Sequence, residues 1–362
     1  MKPKSKPGEC GNLSTPQAIF ARICRFETKR GIFMNLLFPP RAGKMCLLVC
    51  VFLVHSTLSL AQKKAKLEPA SYPTAEAIKQ LEGLEDTLGV LGYAIVNDSI
   101  EVERFAACKV FITTLVRALK IENSFKYPFE QLRTVSILTP PDSSFRIFTW
   151  QLFVNDSTYR YYGSIQMNEK KLHLHPLIDR SFDMEIFPSN ESLTSDRWYG
   201  ALYYNIRQFD TRQGRKYLLI GYDAFEFFEK RKLLDVLSFD ANDKPVFGAA
   251  VFEHEDDLPR QRAYIQYSAD AIVRLNWDQQ YEMVLMDHLI PLSSPYGRGT
   301  TSVPDGSYDA YKLEKGRWKY FDKVFNDKQE EVPYPEPILD TRKDKDILGK
   351  KKKTWGWQRG KQ

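Results

Sequence analysis

Hydrophobic positions divide the chain into two regimes. From residue 75, apolar side chains return at steps of three and four: Ile78, Leu81, Leu84, Leu88, Leu91 and Ile95. That spacing keeps them on one stripe of an α-helix, and Thr74 stands where a capping oxygen is wanted. Gly83, Gly89 and Gly92 interrupt the stripe and weaken it. A second stripe follows with Phe105, Cys108, Ile112, Leu115 and Leu119. Asp98 and Glu101, three apart, make a start resembling a capping box. Residues 75–125 are expected to form a helical hairpin packed on the body that follows.

After Pro128 the period changes. Segments 133–139, 145–153, 159–167, 199–207, 216–222, 232–239, 245–252, 261–267, 271–277 and 282–288 are short and rich in β-branched and aromatic residues. Turn chemistry separates them, as in Pro140-Pro141-Asp142, Asn155-Asp156-Ser157, Asn242-Asp243 and Asp278-Gln279-Gln280. The gaps are hairpin-sized, too short for parallel crossovers. The expected fold is mainly β with an N-terminal helical pair (α+β). Its antiparallel meander of about ten to twelve strands, at residues 126–331, closes as a barrel, sandwich or irregular propeller to hide its edges. Trp150, Trp198, Trp277 and Trp318 keep no fixed spacing, so no regular propeller repeat supports the third option.

One apolar run stands outside this pattern. Residues 45–54 are continuously hydrophobic, preceded by Arg41 and Lys44 and followed by Ser59 and Ala61 before Gln62. A basic start, a short apolar middle and a small-residue cut form a secretory signal, too short to be a spanning helix. A signal at residues 34–61 implies translation from Met34, with residues 1–33 an over-extension and 62–74 a linker. Export to the periplasm, cell surface or medium is expected, with cleavage near Ala61. Cys50 lacks the preceding small residue of a lipidation site.

Charge acquires a different meaning once the chain is divided this way. The 362 residues carry a formal +6, but residues 1–61 hold nine basic against two acidic side chains, and so do the last 22. The body between them is acidic, which argues against a nucleic-acid partner. Composition, at 43% hydrophobic and 13% aromatic, excludes a disordered chain. Only Cys108 lies beyond the leader, so no internal disulfide can form, and its place on an apolar stripe makes it an inert buried thiol. Residues 332–362 read as a basic flexible tail. Within it, Lys350, Lys351, Lys352, Lys353, Trp355 and Trp357 suit contact with an anionic surface or peripheral membrane.

Three constellations carry possible chemistry. His173 and His175 are two apart, so on a strand both imidazoles face one side and, with His254 or His288, could reach one metal ion. Pro176 argues against a continuing strand there. Asp287 and His288 close one strand, and Pro304-Asp305-Gly306-Ser307-Tyr308-Asp309 follows as a loop. Asp287, His288, Asp305 and Asp309 would supply two carboxylates and a base for acid–base hydrolysis; the competing reading is that Asp-Gly is simply a turn former. Tyr161, Trp198 and Tyr203 lie in dense aromatic runs that either stack on sugars or peptides from an outer face or pack as core. A Gly-x-Ser-x-Gly elbow, a P-loop, His-Glu-x-x-His, CxxC and an N-terminal dinucleotide fingerprint are all missing, so no cofactor is expected.

Several of these segments together resemble a family of exported, β-rich proteins of Bacteroidetes-type Gram-negative bacteria. They are Ser124-Phe-Lys-Tyr-Pro-Phe-Glu-Gln-Leu132, Phe145-Arg-Ile-Phe-Thr-Trp150, Lys232-Leu-Leu-Asp-Val-Leu-Ser-Phe-Asp240, Lys244-Pro-Val-Phe-Gly248, Met286-Asp-His-Leu-Ile-Pro291 and Pro304 to Asp309. The resemblance implies export and a β-rich body, and no assigned activity or catalytic residue. This chain has Gly221-Tyr222-Asp223-Ala224 where a Gly-Trp-Asp-Gly turn is expected. The combined expectation is a non-enzymatic envelope module binding a glycan, peptide or protein partner, with an envelope hydrolase as the alternative. The oligomeric state is left open.

Overall fold

The computed structural model describes residues 68–155, 157–254, 258–293 and 299–325. The expected signal peptide, the segment before it, linker residues 62–67 and the expected basic tail lie outside the described residues.

Helix α1 spans Ala75–Asn97, and the Thr74 hydroxyl accepts from Ala77 N–H at its start. Helix α2 spans Glu101–Leu119. Its start differs from the expected capping box. Ile100 occupies the cap position without a side-chain bond, and the Asp98 carboxylate accepts from Ile100 N–H at 2.8 Å. Buried Arg104 makes the connection firm instead, donating to the Asp98, Phe153 and Val154 carbonyls and so tying the interhelical turn to the sheet beneath. Gly92 proves to be a contact rather than a weakness. A methyl there would lie 2.6 Å from Thr134 Oγ1, so the missing side chain lets α1 seat closely on the following segment.

Three sheets follow. In the first, β1 (Ser136–Leu138), β2 (Phe145–Asn155), β3 (Thr158–Met167) and β4 (Leu174–Ile178) are ordered consecutively. The second has the order β5-β9-β8-β7-β6, with ranges Leu193–Thr194, Pro245–Phe247, Glu229–Phe239, Gly214–Asp223 and Leu202–Thr211. β11 (Ala263–Ser268) also pairs with β8, along its N-terminal half. The third sheet runs β10 (Phe252–Glu253), β15 (Arg317–Phe321), β14 (Thr300–Glu314), β13 (Met283–Ser293) and β12 (Leu275–Asp278). All pairings between named strands are antiparallel except the short β10–β15 contact.

The sheets stack as layers; among the described residues no barrel closes. Along β2, Phe148, Trp150 and Leu152 face the helices with Leu81, Leu88, Cys108 and Phe111. Phe145 and Ile147 face the second sheet with Leu219, Leu233 and Phe247. Alternation repeats one layer deeper: Leu218, Ile220, Leu234 and Val236 point to a third core with Val284, Met286, Tyr311 and Trp318. The second sheet is therefore buried on both faces, and strands such as Tyr217–Ile220 are apolar without interruption.

Two further sequence expectations are corrected. Pro176 does not break its strand: β4 runs through it, opposite Ser164, at the sheet edge where a missing N–H costs nothing. The segment from Pro304 to Asp309 is no connecting loop but part of β14, fifteen residues long.

Candidate functional site

That segment is strand with a local interruption. Asp287 pairs with Tyr308, and Leu289 with Pro304. One residue of β13, His288, thus faces three of β14, Asp305, Gly306 and Ser307, which bulge outward. Gly306 sits at φ 92°, a conformation that suits a residue without Cβ. Asp305 closes the bulge on itself, accepting from Ser307 N–H at 2.9 Å and Ser307 Oγ at 2.6 Å. These bonds, helped by His288 and Lys323, hold its carboxyl below the usual range.

The bulge rearranges the side chains around His288. Its Nδ1 lies 2.9 Å from Asp309 Oδ1 and 3.3 Å from Asp322 Oδ1, while Nε2 is 4.0 Å from Asp305 Oδ2. Asp309 is buried and further bonded: Tyr320 OH donates to Oδ2 at 2.7 Å, and Lys323 N–H to Oδ1 at 3.1 Å. Burial, then the bond to Asp309, pushes the Tyr320 phenol up. Lys323 Nζ stands 3.7 Å from Asp305. Tyr320 stacks on His254, whose Nε2 lies 2.6 Å from the Tyr311 hydroxyl.

His288 and Asp309 form part of the wall of a cavity of about 260 Å³ between the third sheet and the β8–β11 pair. Leu234, Ala263, Ile265, Leu275 and Met286 give it an apolar floor. His254, Arg260, Asp287, Tyr311 and Tyr320 give it polar walls. Asp287 sits at the rim, its carboxylate accepting from Arg274 N–H at 2.6 Å. The structure therefore brings the Asp309 carboxylate to 2.9 Å and the Asp305 carboxylate to 4.0 Å of the His288 ring and sets Asp287 on the same cavity.

Among the described residues, the one grouping of three or more His, Cys, Asp or Glu with metal-ligand separations is His288, Asp309 and Asp322, their donor atoms all within 4.8 Å. His173 and His175 do not join it. Their rings are 4.7 Å apart at the edge of the first sheet, and His173 Nδ1 is 2.8 Å from Glu169. Burial, reinforced by neighbouring His173, lowers His175 to about 4. Neither His254 nor His288, on the third sheet's cavity, comes within metal-sharing reach of this pair.

Tyr161, Trp198 and Tyr203 are corrected from outer platform to core: each is 2% exposed or less. Their polar tips are used internally. Tyr161 and Tyr199 hydroxyls both donate to buried Asp223, whose carboxyl burial raises; Gly221-Tyr222-Asp223 is not a turn but the end of β7, paired with β8. Trp198 Nε1 donates to Tyr203 OH at 3.0 Å, and Tyr203 OH to Asp235 at 3.1 Å. Asp235 in turn meets Arg262 Nε at 2.8 Å, both side chains fully buried.

Sequence reading missed Asp322, Arg260, Tyr311 and Tyr320. One signal existed for Asp322 and Tyr320. Lys315-Gly316 is a hairpin turn, and pairing back from it sets Tyr311 opposite Tyr320 and Ala310 opposite Phe321. Asp309 and Asp322 come next. Comparison with protein-family models, curated proteins and solved structures finds no match to this chain.

Proposed function

We propose that this chain is an exported, non-enzymatic envelope module that takes a small polar ligand in the cavity between β8–β11 and β13–β15. One observation carries the reading. Chain segments far apart in sequence bring His254, Arg260, Asp287 and Tyr311 onto one concave surface with an apolar floor. Pockets of this make-up are the usual sites of small-molecule recognition. The volume of about 260 Å³ suits a single sugar ring or a short peptide fragment, the partners expected of an envelope protein. The basic start, apolar run and small-residue cut ahead of Gln62 support export. The tail lysines with Trp355 and Trp357 would hold the acidic body near an anionic envelope surface.

Calorimetry with monosaccharides and peptidoglycan-type fragments tests the proposal. A binder should raise the melting temperature, and Arg260→Gln or Leu289→Trp should weaken it about tenfold or more. No binder in either class, together with no retention by isolated envelopes, would sink it.

A second reading, an envelope hydrolase, is favoured by the Asp309–His288 contact. A buried carboxylate on Nδ1 fixes the imidazole with Nε2 free to take a proton, and ionised Asp305 stands 4.0 Å away. His288→Asn and Asp309→Asn would then each remove about a hundredfold or more of the turnover of a chromogenic glycoside or ester. A wild-type protein that turns over neither class ends this reading.

A further inference from the structure

We infer that His288, Asp309 and Asp322 form a binding site for a first-row divalent cation of the zinc class. The argument begins with spacing. Donor atoms about 2.0–2.2 Å from a common ion lie roughly 3.0–3.6 Å from one another. The His288 Nδ1 atom already stands 2.9 Å from Asp309 Oδ1 and 3.3 Å from Asp322 Oδ1. His288 lies on β13, Asp309 on β14, and Asp322 directly follows β15, so the pairing of these three neighbouring strands brings the donors together. A mixed imidazole and carboxylate set suits zinc or manganese better than calcium or magnesium, which favour oxygen alone.

Charge leads the same way. Asp305, Asp309 and Asp322 surround one imidazole, and the ammonium of Lys323 reaches Asp305. A neutral imidazole carries a single N–H, yet two carboxylates face the same nitrogen. A dication replacing that proton satisfies both. Asp309 is prepared for the role, since Tyr320 and the Lys323 backbone orient it from outside the donor set. The independent feature is the cavity. Its wall includes His288 and Asp309, while Asp322 is 63% exposed, so an ion held by three protein donors keeps a position open for water or a ligand.

The site does not depend on what fills the cavity, because metal uptake is measured with no organic ligand present. The untagged full chain, stripped with chelator and desalted, is titrated with Zn²⁺ by calorimetry and assayed by elemental analysis. We expect one equivalent of zinc and a higher melting temperature, with no comparable effect of Ca²⁺ or Mg²⁺. Asp322→Asn, at an exposed position that leaves folding intact, should weaken uptake about tenfold or more, and His288→Gln should abolish it. Absence of stoichiometric zinc overturns the inference. So does uptake unchanged in Asp322→Asn, or calcium bound as tightly as zinc. A ligand screen that fails while zinc binds would reject the cavity reading alone.

Discussion

A histidine kept neutral by its surroundings makes stability depend on acidity. Burial lowers His175 to about 4 from 6.5, and its Nε2 has no hydrogen-bond partner that would favour the charged ring. Above pH 6.5 both folded and unfolded forms are neutral, and the full stability is present. Between 6.5 and 4 the unfolded chain takes up the proton while the folded one resists, so stability falls as pH falls. After discounting for the partial solvent access of the ring, the loss is about 1–2 kcal/mol. We expect His175→Gln to flatten that part of the unfolding free-energy profile in denaturant titrations from pH 7 to 4. An unchanged slope would show that the ring titrates freely. Cys108 is the converse case. Burial pushes its thiol up to about 12, so at pH 8 it holds no appreciable thiolate. Iodoacetamide should label it only in denaturant, as read by intact mass. This inertness was legible from the helical stripe alone. The fate of Tyr161, Trp198 and Tyr203 was not, since alternation says which side a residue faces but not whether another sheet covers that side.

At the level of elements, turn residues can hide inside strands. The Asp-Gly-Ser run of β14 has the chemistry of a turn and makes one, with Asp305 bonded to Ser307. It does not end the strand, because β13 resumes pairing beyond it at Leu289. Short-range propensity sees the turn and cannot see the partner. Pro176 misleads in the opposite sense for the same reason, since only the pairing order shows that β4 is an edge. Helices α1 and α2 were legible almost to the residue because their contacts repeat locally. Gly306 is where the bulge is most easily disturbed. A Cβ there meets no atom within 4 Å, so the cost of Gly306→Ala is backbone strain rather than collision, about 1–2 kcal/mol. We expect that loss in equilibrium unfolding. A displaced Asp305 should also move the His288 ring resonances; a variant as stable as the parent would mean the bulge relaxes freely.

Across the whole molecule, helices and three sheets form four layers with three cores between them. The sequence offered barrel, sandwich and propeller together because the decisive pairings are distant. β8 meets β11 about thirty-five residues on, and β10 meets β15 about sixty-five residues on. Near the middle lies the Asp235–Arg262 pair, held also by Tyr203 and by the Pro188 and Glu191 carbonyls. Removing one partner strands a charge away from water. Arg262→Met or Asp235→Leu alone should cost about 3–5 kcal/mol in chemical denaturation, and the double replacement should recover much of it. Single losses under about 1 kcal/mol would show that water reaches the pair.

The central sheet has one more consequence. Leu218 and Leu219 are neighbours on β7 that serve different cores. A slip of that strand by a single position would turn both toward the wrong neighbours, emptying two interiors at once. Misalignment in the middle of this protein is therefore penalised twice, which guards the strands that lack a free rim or polar face to mark their proper alignment.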